Sequence, residues 1–522
     1  MQKVRLYDTT LRDGAQGEGI SYSVMDKIRI AQELDMFGVH YIEGGWPGSN
    51  PKDMEFFKKM NQKPLKNAQL VAFSMTRRVG IKASQDTNIK ALVKCGAGIV
   101  SIVGKTWDLH VKDVLKISLE ENLEMIKDTI NFLISQGITV FYDAEHFFDA
   151  YRANKAYALK TLQAAQDAGA QAICLCDTNG GALTSEVSRV VTQVKHEIKV
   201  DLGIHCHNDA GLAVANSIIA VEAGCSIVQG TINGYGERCG NADLIQIIAN
   251  LKFKLGIDCI NNERLKELTK VSHFVSEISN MRLRDDQPYV GGSSFAHKGG
   301  MHINAVMKNS KAYEHIDPVL VGNHRRILVS ELAGKTGILL RAKDLELDLS
   351  KQDPKTKKLL ELVQKLEHQG YHFEAAEASF ELLMKKAIKK YKKFFELEGF
   401  KIVIEKRSDK RIVSEAVIKL KVKGVREHTA AEGDGPINAL DNALRKALKE
   451  FYPTLSKMHL SDFKVRVLDE KAGTAARVRV LIQSQDETDT WNTIGVSGNI
   501  IEASWQALVD SVEYKLLKDK IK

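Results

Sequence analysis

Over its first 255 residues the chain alternates short apolar or β-branched runs with longer stretches of helical spacing. The runs lie at 4–9 (VRLYDT), 39–43 (VHYIE), 70–74 (LVAFS), 99–103 (IVSIV), 138–142 (ITVFY), 172–176 (AICLC), 202–206 (LGIHC) and 227–232 (IVQGTI). Short, nearly continuous apolar runs suit strands buried on both faces. Between them, SVMDKIRIAQELDMFG, SLEENLEMIKDTINFLISQG and NKAYALKTLQAAQDAGA repeat apolar residues three and four apart, as helices packed on one side do. Gly38, Gly137 and Gly169 stand where helix C-caps belong. Strand–helix alternation predicts a parallel sheet, and eight units in about 250 residues predict a (β/α)8 barrel of the α/β class. The competitor is an open doubly wound sheet. No G-x-G-x-x-G follows the first run, which weighs against it.

Beyond the barrel, assigned to 1–275, the pattern changes. Residues 276–400 read as helical linker subdomains holding a Gly/His-rich stretch, GGSSFAHKGGMHINAV, expected to be a loop that touches chemistry. Residues 401–522 read as a separate α+β domain with an internal repeat of strands, glycine turn and Ala-rich helix. Its first copy runs from VSEAVIKLKVKG to GDGPINALDNALRKALKEF, its second from ARVRVLIQS to TIGVSGNIIEASWQALVDSVEYKL. Two such units suggest a pseudo-symmetric module for an interface or small-molecule sensing rather than for catalysis.

With 44% hydrophobic and 27% charged residues in 522, there is ample apolar material for packed cores, which excludes disorder as the main state. No apolar run reaches the roughly 18 residues of a spanning helix, and the first residues lack a signal-peptide pattern, so a cytoplasmic protein without membrane attachment is expected. Seven cysteines without paired CxxC spacing favour reduced, buried thiols; Cys174 and Cys176, two apart on one strand, read as core residues. Net charge is +8, much of it in KQDPKTKK and MKKAIKKYKK. Leu382, Leu383, Ile388, Phe394 and Phe395 supply an apolar stripe beside those lysines, so a solvated helix face is expected and nucleic acid is not.

Barrel chemistry sits where strands end on the carboxyl side. Those ends carry Arg12 and Asp13, Glu43, Asp143 and Glu145, Asp177 and Thr178, then His205, His207 and Asp209, and lastly Asn233 ahead of GYGERCGN. His205 and His207, two apart on a strand, aim their imidazoles the same way. With the Asp13 carboxylate and an amide they form a mixed N/O set suiting an open Mn, Mg, Zn or Co site rather than a closed structural zinc. Asn241 is either the amide ligand or the N-cap of the helix ADLIQIIANLKFK, and Asp209 is a candidate cap for AGLAVANSIIAVEA. Arg12 offers fixed positive charge beside the metal or, alternatively, a salt bridge to Glu43. Glu145 is a candidate acid/base.

Together, LYDTTLRDGAQ, HCHNDAGLAVANS and NGYGERCGNADL resemble the signatures of the 2-isopropylmalate, homocitrate and citramalate synthase family, metal-dependent Claisen-condensing barrels. The likeness covers the whole chain, since 401–522 resembles that family's regulatory, dimer-forming domain; FYDAEHFFDAYRANK and IVGKTWDLHVKDVL look most like the citramalate branch. The resemblance implies Asp13, His205, His207 and Asn241 as metal ligands and Arg12 as the catalytic arginine. It further implies Glu145 as acid/base and Thr178, with Arg12 and Asp143, at the 2-oxo acid. Relatives often carry a hydroxyl residue where Asp143 stands. His302 in AHKGGMHIN, accompanied by Tyr313, corresponds to a histidine inserted over the mouth by a neighbouring subunit. The expected reaction condenses acetyl-CoA with pyruvate in isoleucine biosynthesis, in a homodimer inhibited by isoleucine. The alternative is 2-oxoisovalerate as acceptor, in leucine biosynthesis; an acyl-CoA lyase is a further reading, disfavoured by the long sensor module.

Overall fold

The computed structural model describes residues 3–328, 353–388, 391–406, 412–468, 476–487 and 489–521, with single positions 339, 342 and 408 between them. The chain divides into two compact units, 1–295 with 315–325 and 296–314 with 326–522.

In the first unit eight strands pair in sequence order and close on themselves: β1 (Arg5–Asp8), β2 (Tyr41–Gly45), β3 (Gln69–Met75), β4 (Ile99–Lys105), β5 (Thr139–Glu145), β6 (Ala172–Asp177), β7 (Asp201–Cys206) and β8 (Ile227–Gly230). Every pairing is parallel, including the closing one, where Leu6 lies opposite Val228 and Asp8 opposite Gly230. Helices α1 (Val24–Phe37), α2 (Pro51–Gln62), α3 (Thr87–Cys95), α4 (Leu119–Ser135), α5 (Phe147–Asp167), α6 (Thr184–Glu197), α7 (Ala213–Glu222) and α8 (Leu244–Leu255) alternate with them. The predicted (β/α)8 barrel is therefore the fold.

Local chemistry sets the helix ends. Ser23 and Asp26 form a reciprocal capping box at the start of α1. Gly38 ends that helix at φ 103°, a conformation a side chain rarely adopts. Inside the barrel, Tyr7, Tyr41, Val71, Ile99, Phe141, Ala172 and Ile227 pack as one cluster. The Tyr41 and Phe141 rings meet edge to face at 5.2 Å. This plug fills the barrel below its carboxyl end, so the polar strand ends gather above a closed floor.

In the second unit the Gly/His-rich stretch departs from the expected loop. Ala296–His297 forms a short strand paired in parallel with Arg326–Ile327, and Gly300–Lys308 is helical. His297 Nε2 lies 3.0 Å from Glu314 Oε1. The repeat is explicit: two three-stranded antiparallel sheets, each followed by a helix. The first has strands Phe395–Lys406, Ile412–Val422 and Val425–Gly433, then helix Pro436–Leu448; the second has His459–Val467, Val478–Gln485 and Thr490–Ser497, then Ile500–Ile521. Ala439, Leu440, Ala443, Leu444, Ala447 and Leu448 bury one face of the first helix at the spacing its sequence announces. In the lysine-rich region Leu382, Phe394 and Phe395 are buried, with Leu383 and Ile388 half-buried against a core; residues 351–352 and 389–390 of that region lie outside the described residues. Among the described residues no helix is long and apolar enough to cross a membrane.

Candidate metal centre and active site

The turn after β1 folds back on itself, with Gly14 N–H donating to Thr9 O, and presents Arg12 and Asp13 at the barrel mouth. β7 delivers His205, and just beyond it His207 bridges backbone to backbone with Asn241. Asp13, His205 and His207 are all buried, and one donor atom from each lies within 4.8 Å of the others. His205 Nδ1 meets Gln229 Oε1 at 2.9 Å, which fixes the ring so that Nε2 faces Asp13 Oδ2, 3.5 Å away. Gln229 Nε2 in turn donates to Asp143 Oδ1 at 3.0 Å. Asn241 Nδ2 donates to Asp13 Oδ1 at 3.0 Å. Two buried polar atoms in this cluster, His207 Nδ1 and Asn241 Oδ1, have no hydrogen-bond partner.

The electrostatics favour ligation. Burial disfavours charge on Asp13, yet Arg12 and the two histidines outweigh it and hold the carboxyl well below its usual range. Burial lowers both histidines, His207 to about 4 with help from His205, so the imidazoles are neutral. A carboxylate, two neutral imidazoles and unpaired buried acceptors fit a divalent cation of the Mn, Mg, Zn or Co type. A ring anchored through its other nitrogen is the usual outer support of a ligating histidine.

Beside this cluster Arg12 is held rigidly. Nε donates to Glu43 Oε2 at 2.5 Å, Nη1 to Asp13 Oδ2 at 3.1 Å, and the guanidinium lies 4.0 Å over the Phe73 ring. Tyr7 Oη fixes the other Glu43 oxygen at 2.7 Å. Burial opposes the Arg12 charge, but Glu43 and Asp13 more than compensate and keep it protonated. The salt bridge to Glu43 is present, and the same guanidinium also touches Asp13.

Arg12, Asp13, Asp143, Glu145, Thr178, His205 and His207 line one cavity of about 270 Å3 open to solvent, whose apolar walls include Trp46, Phe73, Met75 and Val103. Asp143 is buried, its oxygens taken by Ser101 Oγ at 2.7 Å and by Gln229. Burial and the nearby Glu43 push its carboxyl up to about 6, against the pull of those two hydrogen bonds. Glu145 is ion-paired with Lys105 at 2.5 Å. Thr178 Oγ1 accepts from His146 N–H at 2.8 Å, and its carbonyl accepts from Arg238, which also grips Asp209. His302 and Tyr313 belong to the second unit, where their rings stack 4.2 Å apart.

Two capping alternatives are corrected. The cap of α8 is Asp243, whose side chain accepts from Ile245 N–H, so Asn241 is free of that duty. The loop before α7 is fastened by Asn208, which accepts from Ala213 N–H, while Asp209 pairs with Arg238. Lys105 and Gln229 were missed by sequence reasoning. Gln229 carried a signal, as a long polar residue inside the run 227–232, whereas Lys105 lies two residues beyond the run 99–103.

Residues 3–275 match the model of the HMGL-like family, 289–370 that of the homocitrate synthase post-HMGL domain-like family, and 374–516 that of the LeuA allosteric (dimerisation) domain. These matches define an HMGL-like barrel joined to a LeuA-type C-terminal domain. The chain is 54% identical to the (R)-citramalate synthase of Geobacter sulfurreducens, over 100% of this chain and 99% of that one. It is 54% identical to the (R)-citramalate synthase of Aquifex aeolicus, over 99% of each. The 2-isopropylmalate synthase of Methanocaldococcus jannaschii is 32% identical over 99% of this chain and 95% of its own. The chain belongs to the (R)-citramalate synthase family.

Proposed function

We propose that the barrel mouth condenses acetyl-CoA with pyruvate and water to give (R)-citramalate and CoA, an acyl transfer in which the acyl group becomes alkyl. The observation that carries this reading is the Asp13–His205–His207 cluster, with two unpaired acceptors, set against a rigidly held Arg12. The full-length identity of 54% to (R)-citramalate synthases, against 32% to a 2-isopropylmalate synthase, favours pyruvate over 2-oxoisovalerate as the acceptor.

Asp13, His205 and His207 would hold the divalent ion, with Asn241 supporting Asp13 and able to offer its unpaired carbonyl oxygen. Bound there, the ion supplies Lewis-acid activation of the 2-oxo acid's carbonyl. Arg12 lies beside it with Nη2 lacking a protein partner among the described residues, and this group stabilises the negative charge that develops on the keto oxygen. Thr178 Oγ1 already accepts from His146, so its own proton is free to donate to the substrate carboxylate. Asp143 acts through Gln229 by orienting His205, and as a cavity-lining group it meets the acceptor's far side. Glu145, tied by Lys105, is placed to take a proton from the acetyl methyl group; His302, brought with Tyr313 from a neighbouring subunit, is the second candidate base. The enolate attacks the keto carbon, and water then cleaves the thioester and releases CoA.

The second unit supplies the homodimer contact and an effector site, with isoleucine as the inhibitor. Thiol release from acetyl-CoA tests the reaction, with Mn or Mg, comparing pyruvate with 2-oxoisovalerate and adding a chelator. The expected result is chelator-sensitive release favouring pyruvate; preference for 2-oxoisovalerate moves the assignment to the leucine branch, and no release with either acceptor returns it to a lyase. Isoleucine that leaves the pyruvate reaction unaffected would remove the effector reading.

A further inference from the structure

Beside the Asp13 centre the barrel carries a second set of ligand-type side chains, in which two thiols that the reaction does not use stand against Asp143. Cys174 and Cys176 stand two apart on β6 and so share its inner face. Asp143 lies directly opposite Cys174 on the paired strand β5. All three are buried, and one donor atom from each lies within 4.8 Å of the other two. Two thiolates at about 2.3 Å on a tetrahedral ion lie about 3.8 Å apart, so donor atoms within 4.8 Å of one another reach that geometry by side-chain shifts of up to about 1 Å. Access exists too: Cys176 and Asp143 both form part of the open cavity's wall, through which an ion and a water ligand can enter.

We propose that Cys174, Cys176 and Asp143 form an inhibitory site for a thiophilic divalent cation, of which Zn2+ and Cd2+ are the chemical types. Two sulfurs and one carboxylate select soft ions over the hard Mn2+ or Mg2+ suited to the N/O set at Asp13. Binding forms two metal–sulfur bonds and one metal–oxygen bond, and the two thiols release their protons to solvent. No oxidation is involved. The link to catalysis is Gln229, whose Nε2 donates to Asp143 while its Oε1 holds His205 Nδ1. An ion that draws the Asp143 carboxylate towards the thiols weakens the first bond and frees the amide to turn. The His205 ring then loses the anchor that aims Nε2 at Asp13.

The test is a Cd2+ titration of the full-length protein already saturated with Mn2+, read by thiolate-to-cadmium ultraviolet absorption, which needs no turnover and so stands apart from the proposed reaction. CoA release is followed in parallel. A Cys239→Ser background removes the one exposed thiol among the described cysteines. The expected result is one equivalent of Cd2+ with a thiolate band, and inhibition that added Mn2+ relieves only in part. Cys174→Ala and Cys176→Ala, each measured against its own uninhibited rate, should lose the band and weaken Cd2+ binding by at least about tenfold. Cys174→Ser serves should the smaller side chain leave the packing against Gly203 unstable. A band that survives both alanine variants, one that vanishes in Cys239→Ser alone, or Cd2+ inhibition undiminished in Cys174→Ala and Cys176→Ala would each overturn the site.

Discussion

Two of the places where the first unit buries charge are finished differently. Lys27 and Asp53 are both buried and ion-paired; Lys27 Nζ also donates to Gly44 O at 3.0 Å, and Asp53 also accepts from Trp46 N–H at 2.9 Å. This pair is closed, because its charge and its polar atoms are answered by the protein itself. At the mouth, Asp13, His205 and His207 are as deeply buried, yet His207 Nδ1 and Asn241 Oδ1 are left without partners. Buried polar groups are almost always satisfied, so two unpartnered atoms beside a buried carboxylate and imidazole pair leave room for an outside group to complete the set. Charge burial alone separates nothing; incomplete satisfaction does.

That contrast can be broken most forcefully at the closed pair. Lys27→Met leaves Asp53 buried and uncompensated and should cost about 3–5 kcal/mol in urea unfolding, with Lys27→Met/Asp53→Leu recovering most of it. His207→Ala, by comparison, should abolish CoA release yet move stability by less than about 1 kcal/mol, because its Nδ1 contributes no hydrogen bond to the fold. A large stability loss in His207→Ala would erase the distinction. Next in size, Arg12→Gln removes the fixed charge and should lower kcat by about 10^2–10^3 with metal affinity changed far less, as kinetics and metal titration together would establish. Gln229→Leu sharpens the comparison further out: losing the His205 anchor should weaken Mn2+ binding by about 10–100-fold in calorimetry.

A further effect is in pH. Burial pushes the Asp8 carboxyl up to about 7, against the pull of its Thr10 hydrogen bonds. Between the ordinary value of 3.8 and about 7 the native state keeps a proton that the unfolded chain has released. The contribution is therefore fully present below the lower value and fades as pH rises through the upper one. Relative to the parent, Asp8→Asn should gain urea midpoint from pH 4.5 to pH 7.5; a pH-independent difference would show Asp8 to be ionised in the fold.

The barrel was legible because strand-length apolar runs and helical spacing are local properties, and the observed strands fall on the predicted runs. The clustering of Asp13, His205 and His207 was legible because strand ends share one face of such a barrel. What escaped depends on pairings between strands distant in sequence. Gln229 matters only because β8 sets it between His205 and Asp143, and Lys105 only because β4 lies beside β5. The two helix caps were misplaced by short offsets, since Asn and Asp neighbours compete for the same turn and only the backbone decides which one caps. The Gly/His-rich stretch looked like a loop because glycine masks helical spacing, yet Gly300–Lys308 winds a helix.

The cluster of Asp13, His205, His207 and Asn241 straddles the seam where the barrel's first and last strands meet, with Asp13 after β1 and Asn241 after β8. On the ribosome this makes the centre a late event. Asp13 emerges some 190 residues ahead of His205, a wait of roughly 10–40 s at typical synthesis rates. A growing chain therefore has a carboxylate but no site, and cannot trap an ion before nearly all of the barrel has been made. Ion binding by this cluster would then report that the circle has closed, a timer for observing when the nascent barrel, rather than the rest of the chain, is complete.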